Sequence, residues 1–256
     1  MDTMIAGLPL WALLAACAVM LFAGFVKGAI GFAMPLILIA VLPSFMPAQI
    51  ALAALIFPVL TTNVQQSLRQ GLRPALASGR KFWRIIVMTM AGILVTAPFV
   101  VVLPQQVMFL LLGSAVLLFA LLQLSGWTPD IPARWRGPVE LATGFVGGLY
   151  GGISGVWGPP SIVYLLAVKV EKTEMVRVMS VIFTMGAVVL TLAHLRSGVL
   201  NAETAVLSAI MLIPAWIGMA IGYRAHDSMD QARFKRWTLI LLALSALNLL
   251  QRGFLG

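Results

Sequence analysis

The sequence predicts an all-α polytopic membrane protein made of two inverted repeats, each of about five hydrophobic segments. Three observations carry that expectation. The chain is 61% hydrophobic and 10% charged, with a mean hydropathy of +1.02, whereas a soluble domain is nearer half apolar and a quarter charged. Its apolar residues fall into ten runs: 5–26, 30–43, 48–67, 85–103, 107–124, 139–152, 156–168, 178–195, 203–222 and 237–251. The longer runs match a bilayer core of about 30 Å, which takes about 20 helical residues to cross. Finally, Gly24-Phe25-Val26-Lys27-Gly28-Ala29-Ile30-Gly31 returns 120 residues later as Gly144-Phe145-Val146-Gly147-Gly148-Leu149-Tyr150-Gly151. Paired glycine-broken helices in two related halves are the architecture of a transporter.

The first repeat is expected over 1–124, a cytoplasmic linker over 125–138 and the second repeat over 139–256. Run 5–26 is read as a retained span. Leu14-Ala15-Ala16-Cys17 resembles a lipoprotein cleavage box, but no Lys or Arg precedes it, as a signal peptide would require. Cys17 is the only cysteine, so an intrachain disulfide is excluded. Later runs match in order. Leu68-Arg69-Gln70-Gly71 corresponds to Leu195-Arg196-Ser197-Gly198. Gly92 and Thr96 correspond to Gly218 and Gly222, and Gln106 and Phe109 to Gln231 and Phe234.

Loop charge sets the orientation. Arg69, Arg73, Arg80, Lys81 and Arg84 place loop 68–84 in the cytoplasm, while its counterpart 196–202 has only Arg196. Loop 104–106 is uncharged, while its counterpart 223–236 carries Arg224, Arg233, Lys235 and Arg236. Equivalent loops therefore lie on opposite faces and the halves are inverted. With 125–138 and 169–177 also inside, both termini are expected in the periplasm of a bacterial inner-membrane protein. Only Lys27, Arg196 and Arg252 fall outside the cytoplasmic set. The net charge of +9 thus reads as a topology signal with lipid headgroup contact, and excludes nucleic acid as the partner.

This orientation makes 5–43 and 139–168 glycine-broken re-entrant or short helix hairpins. The arms of the second, at 12–14 residues, reach only about 18–21 Å. The two turns are expected to face each other inside the membrane. Helix starts there would point partial positive charge inward and favour an anion. The candidate substrate-binding residues are Gly28 and Gly31 in the first turn, and Tyr150, Gly151, Gly152, Ser154 and Trp157 in or beside the second. Lys27 is the only Lys or Arg of the first hydrophobic block. A charge inside a span is costly and a functional candidate by default; a lysine snorkelling to headgroups is the structural alternative. Asn63 and Gln66 on run 48–67 offer hydrogen bonds to oxyanion oxygens, and His194 adds a group able to carry protons. Each has an interfacial role as its alternative. No acidic residue lies deep in a run, which disfavours a carboxylate-based cation carrier. No nucleotide-binding motif is present, so no ATP-driven step, cofactor or metal is expected.

The glycine strings with Pro35 and with Pro159-Pro160, the Leu-Arg-x-Gly segments, and Pro214 with Gly218 and Gly222 resemble the TauE/SafE sulfite-exporter family over nearly the whole chain. The resemblance implies a bacterial inner-membrane permease for sulfite, sulfoacetate or a related organosulfonate. Val156-Trp157 departs from the small residues more usual there. The leading expectation is a secondary transporter exporting such an anion by alternating access, possible as a homodimer. The alternatives are an anion channel or uptake permease, and a rhomboid-like intramembrane serine protease, since Gly152-Ile153-Ser154-Gly155 with His194 matches a nucleophile and base.

Overall fold

A computed structural model describes residues 5–69, 71–127, 129–225 and 230–255. The terminal residues 1–4 and 256, Gln70 of the basic loop, Thr128 of the linker and 226–229 of loop 223–236 lie outside the described residues. The protein is an all-α polytopic membrane protein. In chain order its α-helices are α1 (Leu10–Ile30), α2 (Met34–Val41), α3 (Ala48–Leu68), α4 (Leu72–Lys81), α5 (Trp83–Thr96) and α6 (Gln105–Ser125). These are followed by α7 (Arg136–Ser154), α8 (Gly158–Ala167), α9 (Lys172–Ser197), α10 (Ala202–Ile210), α11 (Leu212–Ala225) and α12 (Gln231–Leu255). Seven segments among the described residues are long and apolar enough to cross a membrane, and α2 and α8 are short apolar helices. Leu14, Leu94, Leu118, Leu192 and Leu244 stand exposed along these spans, as a lipid-facing surface requires.

The segment expected as a basic loop, 68–84, contains the helix α4. The reason is amphipathic spacing: Ala75 and Ser78 are buried while Leu72 and Leu76 are exposed, three to four residues apart on their faces. The first arm of the second hairpin is also longer than expected. Helix α7 starts at Arg136 and runs nineteen residues, about 28 Å. The extension takes in Pro138 near its start, a position that proline tolerates in a helix's first turn. Finally, the glycine strings are helical nearly to their ends. The chain breaks at Gly31 (φ 87°) and Gly155 (φ 72°), left-handed residues that close α1 and α7 and suit glycine.

Two compact units interleave along the chain. One comprises Met1–Pro58, Val101–Trp127 and Gly198–Gly256. Within it α1 lies parallel to α11: a Cβ at Gly24 would overlap the Ala215 carbonyl, one at Gly28 the Met219 carbonyl, and one at Gly222 the Phe25 carbonyl. Small residues four apart let the two backbones touch, the packing by which helices associate where lipid removes the hydrophobic drive. Helix α6 packs antiparallel on α12, with Gly113 against Ala246 and Leu250, and Gly253 against Leu110. Pro58 sits inside α3 and leaves the Ala54 carbonyl without its helical donor. Ser208 of α10 repairs the gap: its hydroxyl donates to the Ala54 carbonyl (3.4 Å) and accepts from the Phe57 N–H (3.0 Å).

The other unit comprises Val59–Val100 and Thr128–Ser197. Helix α7 lies parallel to α5, with Gly144 against Ile85, Gly148 against Thr89 and Gly152 against Ile93 and Thr96. Thr96 Oγ1 donates to the Leu149 carbonyl at 2.6 Å. Gly92 and Thr96 in this seam, and Gly218 and Gly222 in the α1–α11 seam, are the positions matched between the halves by sequence. At one end of this unit Glu174 of α9 pairs with Arg177 (2.9 Å) and Lys81 (4.0 Å) and accepts from the Ser78 hydroxyl (3.2 Å), fastening α4 to α9. Glu140 accepts from the Ile85 N–H at 3.4 Å, so a carboxylate of α7 caps the first turn of α5.

Candidate anion site

The first break follows α1. Lys27 stands in the last turn of that helix with only 2% of its surface exposed. Protein encloses it, whereas a snorkelling lysine keeps its head in water. Gly28, the next residue, is packed against α11, and Gly31 closes the helix in the left-handed region. Ala33 is left-handed as well (φ 80°) and buried. A non-glycine residue in that region carries about 1–2 kcal/mol of strain, which clusters at functional sites. Phe32, between them, meets Phe119 edge to face at 6.3 Å and lies 5.9 Å beneath the Lys235 ammonium. Lys235 also donates to Gln123 Oε1 at 2.8 Å. Sequence reasoning assigned Lys235 to a cytoplasmic loop and missed this contact. The available signal was its place four residues beyond Gln231, at helical spacing into the last apolar run.

The second break follows α7. Ser154 is fully buried, and its hydroxyl donates to the Tyr150 carbonyl (2.9 Å) and accepts from the Val156 N–H (3.0 Å). It fastens the turn on both sides of Gly155. Gly151 makes room for Trp157, whose Cβ would lie 2.7 Å from a Cβ added at 151. Gly152 belongs to the α5 seam. Trp157 is 2% exposed and packs edge-on to Phe183 at 6.4 Å. His194 is buried, with Nδ1 3.3 Å from Ser197 Oγ and its ring beside the Gly152 backbone. The structure therefore does not join Ser154 to His194 as nucleophile and base.

Helix α3 carries Asn63, buried, and Gln66, half-buried, three residues apart on one face. Their neighbour Ser67 donates to the Val64 carbonyl at 2.9 Å, so its hydroxyl serves the helix itself. Ser161, fully buried in the first turn of α8, was not singled out by sequence. Its signal was its position directly after Pro159-Pro160. No cluster of metal-ligating side chains occurs among the described residues.

Of the proposed residues, then, Lys27 and Gly31 meet at the first break, and Tyr150, Gly151, Ser154 and Trp157 at the second. The chain matches the family model described as sulfite exporter TauE/SafE over residues 16–249. The chain belongs to the TauE/SafE sulfite exporter family. No curated protein and no solved structure matches it significantly. TauE/SafE membership makes the protein a membrane permease of sulfur anions.

Proposed function

We propose that this TauE/SafE protein is a secondary transporter that exports a small sulfur-containing anion (sulfite, sulfoacetate or a related organosulfonate) by alternating access. The observation that carries the reading is Lys27, a cation enclosed by protein at the end of α1 beside two left-handed residues. An ionisable group enclosed within a membrane-spanning helix is costly and is a functional candidate by default. Its sign selects an anion, and the absence of a nucleotide motif leaves a gradient as the source of drive. A cytoplasm-negative potential of 100 mV favours exit of one negative charge by about 2.3 kcal/mol. The charge pattern of the loops supports an inner-membrane setting with both termini periplasmic.

The test is equilibrium binding of sulfite, sulfoacetate, taurine, sulfate and chloride to the purified protein and to Lys27→Ala. Saturable binding of a sulfur oxyanion that collapses in the mutant supports the reading. Absence of binding to every sulfur anion refutes the substrate class, and binding that survives the substitution removes Lys27 from the site.

A further inference from the structure

The first four residues of an α-helix have N–H groups without intrahelical partners, and these donors make a helix start hospitable to anions. In α8 those residues are Gly158, Pro159, Pro160 and Ser161. Proline has no N–H, so half of the backbone donors are missing. Two side chains at this helix start, the capping Trp157 and Ser161, carry unpaired polar atoms instead. Trp157, immediately before α8, has a buried Nε1–H without a hydrogen-bond partner, and Ser161, one turn on, has a buried Oγ without one. A buried polar group left unpaired costs about 1–3 kcal/mol, and a buried indole N–H usually finds an acceptor. Nor is the indole loosely held. Gly151 of α7 yields to its Cβ, and Gly186 of α9 yields to its nitrogen edge, where an added Cβ would lie 2.6 Å from Nε1. Two glycines on two helices accommodate this one side chain and hold its N–H in place.

We propose that Trp157 Nε1–H and the Ser161 hydroxyl form an uncharged oxyanion subsite at the start of α8, which takes the sulfite or sulfonate head of the substrate. The indole wedged between α7 and α9 restricts the remainder of the substrate to a compact body. This rests on the anion-carrier reading above. The indole N–H only donates, so it pairs with an acceptor oxygen, best an ionised one, and rejects an ammonium in that position.

The experiment is calorimetric binding of sulfite, sulfoacetate, 4-toluenesulfonate, phosphate and chloride to the full-length protein. Wild type, Trp157→Phe, Trp157→Ala and Ser161→Ala are compared, with thermal unfolding of each. Trp157→Phe keeps the bulk and removes the donor; it and Ser161→Ala should each weaken sulfite and sulfoacetate binding about tenfold or more. Trp157→Ala should shift preference toward 4-toluenesulfonate. Wild-type sulfite affinity in a folded Trp157→Phe protein overturns the subsite, and an unchanged ligand ranking in Trp157→Ala overturns the size limit. If Trp157→Phe does not fold, Ser161→Ala, which removes one oxygen, decides by the same criterion. Phosphate binding that is lost in Trp157→Phe, with no sulfur anion bound by wild type, keeps the oxyanion subsite and refutes the sulfur reading. Wild type that binds no oxyanion of the series refutes both.

Discussion

The two helix breaks start from nearly the same string of residues and arrive at different chemistry. After α1 the break holds a buried lysine, two departures into the left-handed region at Gly31 and Ala33, and a phenylalanine beneath a second lysine. After α7 it holds one left-handed residue, Gly155, a serine that fastens the turn, and a buried indole and hydroxyl with unpaired donors. One is charged and strained, the other neutral and relaxed. The substitution responsible is small: position 27 is lysine where the second string has Gly147. Gly147 instead faces the carbonyl of Trp157, 3.0 Å from where its Cβ would stand. A side chain at 147 would crowd that carbonyl, whereas Lys27 is accommodated and enclosed at the first break.

If the charge resides only in the first break, the largest effect should come from Lys27→Ala. Removing one partner of a buried charge pair costs about 2–5 kcal/mol, so anion affinity should fall by at least about thirtyfold by calorimetry. Ser154→Ala in the second break should change affinity by less than about threefold and instead lower stability by about 1 kcal/mol. Equal losses from both substitutions would erase the distinction between a charged and a neutral break.

The next effect concerns the seams that hold the breaks. Gly28→Ala and Gly148→Ala each place a Cβ on a carbonyl of the parallel neighbour, Met219 or Thr89. Each should destabilise by about 1–3 kcal/mol, read as the midpoint of denaturant unfolding in detergent. An effect at only one of them would show that the seams are not equivalent. The smallest effect has opposite sign in the two breaks. Ala33→Gly relieves left-handed strain and should raise stability by about 1 kcal/mol, whereas Gly155→Ala introduces that strain and should lower it by a similar amount.

How much of this could be read from the sequence follows from the range of each signal. The spans were legible because a 20-residue apolar run is set by bilayer thickness alone. The repeated small residues were legible as helix contacts, and Gly92, Thr96, Gly218 and Gly222 do lie in seams. Which helices they join was not. The glycine-rich helix of each half packs on a late helix of the other, and such pairing depends on tertiary placement that spacing does not encode. The glycine strings were over-read as turns: glycine is permissive both in a turn and at a close helix contact, and only the last glycine of each helix, Gly31 and Gly155, turns the chain. Helix α4 was missed because five basic residues read as a loop while its few apolar residues form a face only once the helix exists. At the sites, Lys27 stood out because a charge in an apolar run is conspicuous. Ser161 and Lys235 did not, since a serine beside prolines and a lysine in a basic loop are ordinary in sequence and acquire meaning only from what surrounds them.

The most direct test of the central claim is counterflow of radiolabelled sulfite in proteoliposomes holding the purified protein. A carrier predicts saturable uptake that is accelerated by unlabelled sulfite inside the vesicles and lost in Lys27→Ala. Flux that rises linearly with concentration and ignores internal sulfite would contradict alternating access, and no flux of any sulfur anion would contradict the transport function itself.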